Sequence, residues 1–230
     1  MARETLDRKI HHLLDEILAL DSMVEDAITQ SIHALKSQDL EQAQRLYSND
    51  SFINSKRFEL ENECMVTIAT QQPIMGHDLR LLASVLEVAG ELERMGDYAK
   101  GIARICIRIG KEPHIKPLVD IPKMAQICVA MLHRAIGAFV QGDAEIARQI
   151  PGEDEQVDHL YNQIYRELIG IMLADAHTID QANLLMWVAH NLERVADRVS
   201  NICERTIYTQ TGELKEIDVS DDETKIPGKT

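Results

Sequence analysis

Two stretches of this chain carry nearly the same phrase 100 positions apart. They read Leu92-Glu93-Arg94-Met95-Gly96-Asp97 and Leu192-Glu193-Arg194-Val195-Ala196-Asp197. Both lie in long segments of helical periodicity, so Glu93/Asp97 and Glu193/Asp197 are i,i+4 pairs stacked on one face of a helix. Like charges at that spacing cost about 0.2–0.5 kcal/mol even on an exposed surface. A chain that repeats this repulsion at matching points of two halves calls for something positive there, a hard cation or a basic partner.

The correspondence extends well beyond the phrase. Val88, Ala89 and Ile102 recur as Val188, Ala189 and Ile202 at the same offset of 100. Asp39, Glu41, Ala43 and Asp50 recur as Asp143, Glu145, Ala147 and Asp154 at an offset of 104, which places a short deletion in the second half before its last helix. A three-helix unit has been duplicated. The periodicity predicts helices over 5–37, 40–71, 79–109, 122–141, 144–173 and 179–209, with no convincing strand. The fold class is all-α, two tandem pseudo-symmetric three-helix bundles of up-down-up topology, because short connections make neighbouring helices antiparallel. The expected units are residues 1–112 and 113–210, joined through Gly110–Pro117, with 211–230 a mobile polar tail. Pro73 with Gly76, and Gly142-Asp143, punctuate the breaks. Asp39 with Gln42 and Thr178 with Gln181 have the spacing of capping boxes, and Asp78 and Asp143 are further expected N-caps.

Charge narrows the function. With 38 acidic and 24 basic side chains the formal charge is −14, which argues against a nucleic-acid ligand. An acidic surface suits cations and basic protein patches. Cys64, Cys106, Cys128 and Cys203 are scattered through apolar helical contexts and are expected to be reduced core residues. The first residues carry charges and no apolar signal region, and the longest apolar run, Leu168–Ala174, is too short to cross a bilayer. These features predict a cytoplasmic protein.

Placing Ala89 and Ala189 at the centres of the buried stripes puts Glu93 and Glu193 roughly 40° off centre and Asp97 and Asp197 roughly 80° off. Half-burial is expected for all four. The preceding long helix of each half supplies possible partners: Asp154 and Asp158 in the second half, Asp50 and Asn54 in the first. Packed together, each set makes an oxygen-rich cluster suited to Mg, Ca, Mn or Fe. With Asn54 in place of an acid, the first site is expected to bind cations more weakly. The competing reading is ordinary ion pairing by Arg94, Arg194, Lys100 and Arg104. Enzyme motifs fare badly. No Glu-x-x-His supports a di-iron carboxylate site, His77-Asp78 has no counterpart in the second half, and neither a nucleophile elbow nor a P-loop occurs.

The duplicated Leu-Glu-Arg-x-(Gly/Ala)-Asp phrase resembles the PhoU family of bacterial phosphate-signalling regulators. Gln72-Pro73 followed by Asp78-Leu79-Arg80, the Asp50/Asn54 pair, Glu153-Asp154 with Val157-Asp158, and Asp197-Arg198 followed by Asn201-Ile202-Cys203-Glu204 strengthen the likeness, which runs in order from residue 1 to about 210. The resemblance implies two three-helix bundles with metal-holding motifs at Glu93, Asp97, Glu193, Asp197, Asp154, Asp158, Asp50 and Asn54, the metal being Fe, Mn, Mg or Zn. It further implies a homodimer poised between the ATPase of a phosphate ABC transporter and a membrane sensor histidine kinase, keeping phosphate-starvation genes off when phosphate is plentiful. Ala196-Asp197 departs from the family's Gly-Asp, and the added methyl bears on how closely helices approach. The expected function is therefore a non-enzymatic negative regulator. A metal-dependent phosphoester hydrolase and a purely structural helical scaffold are the rivals.

Overall fold

Apolar residues spaced alternately three and four apart fold here as helices. The structure is a computed structural model that describes residues 2–217, the side chains of Ala2, Asn49 and Asp50 excepted. The long helices are α1 (Ala2–Ser37), α2 (Leu40–Thr70), α3 (Gly76–Ile109) and α4 (Asp120–Gln141), followed by a short α5 (Ala144–Gln149), α6 (Asp154–Ala174) and α7 (Ile179–Thr211). α1 shows the rule plainly: Leu6, Ile10, Leu13, Ile17, Leu20, Val24 and Ile28 form one buried stripe. The described residues contain no strand. α1–α3 form one unit and α4–α7 the other.

The duplication is visible residue by residue. From 81 to 103 every position of α3 has the same degree of burial as its counterpart 100 residues later in α7, Arg94 and Arg194 excepted. The deletion also falls as expected. α6 ends at Ala174, the match of Thr70, and helical structure resumes at Ala176, the match of Gly76. Five linking residues have become one.

How the halves meet lies beyond what periodicity can say. α3 and α7 pack against each other, α1 meets α4, and the buried apolar residues of both halves join in one cluster. Along the α3–α7 seam the contacts run antiparallel. Thr209 Oγ1 donates to Ser84 Oγ at 3.0 Å, Arg205 faces Glu87 at 3.9 Å, Arg198 faces Glu91 at 3.4 Å, and Arg194 Nε donates to the Tyr98 hydroxyl at 3.1 Å. The connector is pinned as well. His114 Nε2 lies 2.9 Å from Leu35 O, and the Gln181 side chain accepts from Ile115 N–H and donates to Pro113 O.

Several local expectations change. The helix expected over 144–173 is interrupted by a 3₁₀ turn at Ile150–Glu153, because Pro151 lacks the N–H that a continuous helix needs. Asp39 and Asp143 do cap their helices, accepting from Gln42 N–H and from Glu145 and Ile146 N–H respectively. Asp78 does not. It sits in the first turn of α3, buried, and accepts both guanidinium arms of Arg3 from α1. Thr178 makes no capping bond to α7, since its hydroxyl turns back to Asp175 O while Gln181 is committed to the connector. The polar segment after α7 begins by folding back, with Ile217 N–H donating to Glu204 Oε1 at 2.8 Å, and residues 218–230 of the expected tail lie outside the described residues. All four cysteines are buried free thiols. Cys64, Cys106 and Cys128 donate to the carbonyls of Leu82, Ala34 and Leu192, and burial pushes each of the four thiols upward.

α4 bears on the reading of apolar length. Among the described residues it is the one helix long and apolar enough to span a membrane by length and composition, but half of that window is buried inside the bundle. Its charged residues Lys123 and Arg134 divide what is otherwise a core helix.

Gly96 explains the departure at Ala196. A Cβ on Gly96 would stand 3.0 Å from Ile53 Cδ1 and 3.2 Å from its Cγ2. In the second half the corresponding residues are Ala196 and Val157, so a methyl gained on one helix is matched by a methyl lost from its neighbour. We expect Gly96→Ala and Ile53→Val to be coupled by on the order of 1 kcal/mol in the stabilising direction in a double-mutant cycle of urea unfolding. Additivity of the two changes would refute the compensation.

Candidate functional site

The second half brings together the acids that the sequence singled out. Asp154 opens α6 and is buried, Asp158 lies one turn on, and both face Glu193 and Asp197 of α7 closely enough to act on the Glu193 carboxyl. Burial pushes Glu193 up to about 7, and Asp197, Asp158 and Asp154 push the same way against the opposing pull of Arg194. Arg194 pulls against them more strongly than Asp154 pushes, while its guanidinium lies 5.7 Å from the Tyr98 ring centroid of the first half. His190 Nδ1 approaches Glu193 Oε2 at 3.1 Å, and burial lowers the His190 pKa, favouring the neutral ring. Three carboxylates and one guanidinium therefore act on Glu193.

The first half is built otherwise. Arg57 of α2 reaches Glu93 at 3.7 Å while also pairing with Glu61 at 2.8 Å. Interhelical ion pairing, the alternative reading of these acids, is thus present in this half, with Arg57 of α2 as the cation where Arg94, Lys100 and Arg104 were expected. Tyr161 stands where Arg57 would be, 104 residues on, and burial beside Glu193 raises its hydroxyl pKa. Asn54 is half-buried, and the side chain of Asp50 lies outside the described residues. Half-burial holds for Glu93 and Glu193, whereas Asp97 and Asp197 are exposed. The roughly 80° angle sets them past the edge of the stripe rather than on it.

A third group was not anticipated. Asp21 and Glu25 of α1 and His133 of α4 place one ligand atom each within 4.8 Å of one another. The i,i+4 acid pair was present in the sequence, but nothing there links it to a histidine more than a hundred residues away.

Comparison with known proteins decides the family. Residues 17–106 and 121–206 each match the PhoU domain. The chain belongs to the PhoU family. The PhoU homolog of Clostridium acetobutylicum, a phosphate-specific transport system accessory protein, is 34% identical over 96% of this chain and 100% of its own length. PhoU of Escherichia coli K12, also a phosphate-specific transport system accessory protein, is 31% identical over 89% of this chain and 85% of its own. Among solved structures, PhoU of Streptococcus pneumoniae, a phosphate transport system regulatory protein, superposes with a TM-score of 0.84 at 31% identity, covering 91% of this chain and 99% of that one. PhoU of Pseudomonas aeruginosa also reaches 0.84, at 29% identity. The tandem PhoU domains correspond to the two helical halves.

Proposed function

We propose that this PhoU-family chain is a non-enzymatic cytoplasmic regulator that represses phosphate-starvation signalling and phosphate uptake. It docks on the ATPase of the phosphate ABC transporter and on a membrane sensor histidine kinase, reaching the membrane through those partners, and works as a homodimer. Its two units, residues 1–112 and 113–210, present acidic helical flanks of unequal character. The observation that carries this reading is the second-half cluster, where Asp197, Asp158 and Asp154 all act on the Glu193 carboxyl. The accessory and regulatory names of the relatives agree with it.

The function would lie in a difference in affinity for partner states, not in bond chemistry. A basic partner surface or a divalent or ferric cation (Mg, Mn, Fe or Zn) answers the second cluster. Its oxygen-only donors fit hard cations best, and a Glu193 that holds a proton near neutrality is a group short of positive charge. In the first half the equivalent site rests on Glu93, Asp97 and Asn54, the side chain of Asp50 lying outside the described residues, and it is weakened as a cation site because Arg57 already supplies a charge.

Glu193→Lys with Asp197→Lys is expected to derepress phosphate-responsive transcription in phosphate-rich medium while circular dichroism shows a folded helical protein. Repression as strong as in the wild type would remove these acids from the mechanism.

A further inference from the structure

Where the two halves meet, α1 and α4 flank an apolar groove of about 630 Å³ lined by Glu25, Ile32, Lys36, Val129 and His133 among others. At one edge Asp21, Glu25 and His133 converge. Asp21 is 4% exposed, and its Oδ1 is buried without a hydrogen-bond partner. An unsatisfied buried carboxylate oxygen costs free energy that a native fold rarely leaves uncompensated. His133 Nδ1 stands 3.1 Å from Glu25 Oε1. Tetrahedral ligands at roughly 2.1 Å from a first-row metal are themselves about 3.4 Å apart, so the His133–Glu25 pair already has ligand-like spacing, with an Asp21 oxygen within 4.8 Å of both.

We propose that Asp21, Glu25 and His133 form a binding site for a first-row divalent transition metal that clamps α1 of the first half to α4 of the second. Two carboxylates balance the charge of the ion, and the imidazole selects Zn, Mn, Fe or Co over Ca or Mg. Three protein ligands leave at least one coordination position open toward the groove. The site is separate from the acid pairs on α3 and α7 and does not depend on the regulatory reading above. Burial together with the Glu25 carboxylate pushes Asp21 up to about 7, consistent with a group that is ionised comfortably only when a cation is near. Of the other charged groups lining the groove, Arg134 is held by Glu153, His33 lies beside Gln42 Oε1 at 3.3 Å, and Lys36 lies about three helical turns beyond Glu25 on α1, so none answers Asp21.

The test uses full-length protein stripped with chelator and carrying Glu93→Gln, Asp97→Asn, Asp154→Asn, Asp158→Asn, Glu193→Gln and Asp197→Asn, which silences the other acid pairs. Titration with Co²⁺ and with Zn²⁺ is followed by calorimetry, visible absorption and thermal unfolding. The expected result is one metal per chain, Co²⁺ d–d bands without thiolate charge-transfer absorption, and a Tm raised by metal. Adding Asp21→Asn or His133→Ala should weaken binding by more than about tenfold, since even outer-shell partners of a metal cost that much, and should abolish the Tm rise. His133 is largely exposed, so its replacement tests the site even where Asp21→Asn disturbs folding. Uptake that is unchanged by His133→Ala, or absent from the starting protein, would overturn the proposal.

Discussion

Glu193→Gln is expected to stabilise the metal-free protein at pH 8 by on the order of 2 kcal/mol and to leave its stability at pH 4 nearly unchanged. The folded-state pKa is pushed to about 7 from an ordinary 4.5, chiefly by burial and then by Asp197, Asp158 and Asp154. The native state therefore keeps a proton that the unfolded chain has released, and stability falls as pH climbs from 4.5 to 7. Above that window the full penalty is present, and below it there is none. The groups around the carboxylate are Asp154, Asp158 and Tyr161 on α6 with His190, Arg194 and Asp197 on α7. The side chain remains 27% exposed, which puts the expected gain below the full value of the shift. Urea unfolding in chelator at the two pH values checks it. An equal gain at both would show that the glutamine acts through packing rather than charge. Saturating Mn²⁺ should shrink or reverse the gain, because a bound cation removes the penalty that the substitution relieves.

What the sequence disclosed and what it withheld separate by physical range. Local periodicity fixed the α3 and α7 stripes so closely that burial repeats from 81 to 103, and the offset change from 104 to 100 located the shortened linker. The Pro151 break is just as local and was legible, but the strong periodicity on either side of it predicted one helix. Capping failed where tertiary partners outbid it: Arg3 claims Asp78, and the connector claims Gln181. The second-half acids assemble as their spacing implied. Arg57 opposite Glu93 could have been found by reading the 104 offset one turn further, where arginine is replaced by Tyr161. The Asp21–Glu25–His133 group had no such signal. It exists because α1 of one half lies against α4 of the other, a placement set by the packing of whole units rather than by any repeat within them.

Replacing Arg198 by methionine should cost about 2 kcal/mol, below the range for breaking a fully buried ion pair and above that of a surface pair. Arg198 and Glu91 are only 19% and 15% exposed and meet at 3.4 Å across the α3–α7 seam that joins the halves. Methionine keeps most of the apolar stem of the arginine, so the loss is mainly the charge stranded on Glu91. Glu91→Gln in the same chain should therefore recover most of the stability, since a neutral amide costs less to leave half-buried than a carboxylate. Arg205 and Glu87, more exposed and 3.9 Å apart on the same seam, provide the internal control: Arg205→Met should cost less than about 1 kcal/mol. Chemical denaturation of the three single variants and the Arg198→Met/Glu91→Gln double variant measures the cycle. If the Arg198 and Glu91 effects simply add, the pair behaves as a solvated surface contact, and the seam is held by its apolar packing and its other polar contacts. If the double variant approaches the wild type, the two charges are coupled across the seam and the single-variant loss is the cost of stranding Glu91, so the register of α7 on α3 survives without them. Any substitution that shifts that register would then also move the acids at 193 and 197 relative to those at 93 and 97.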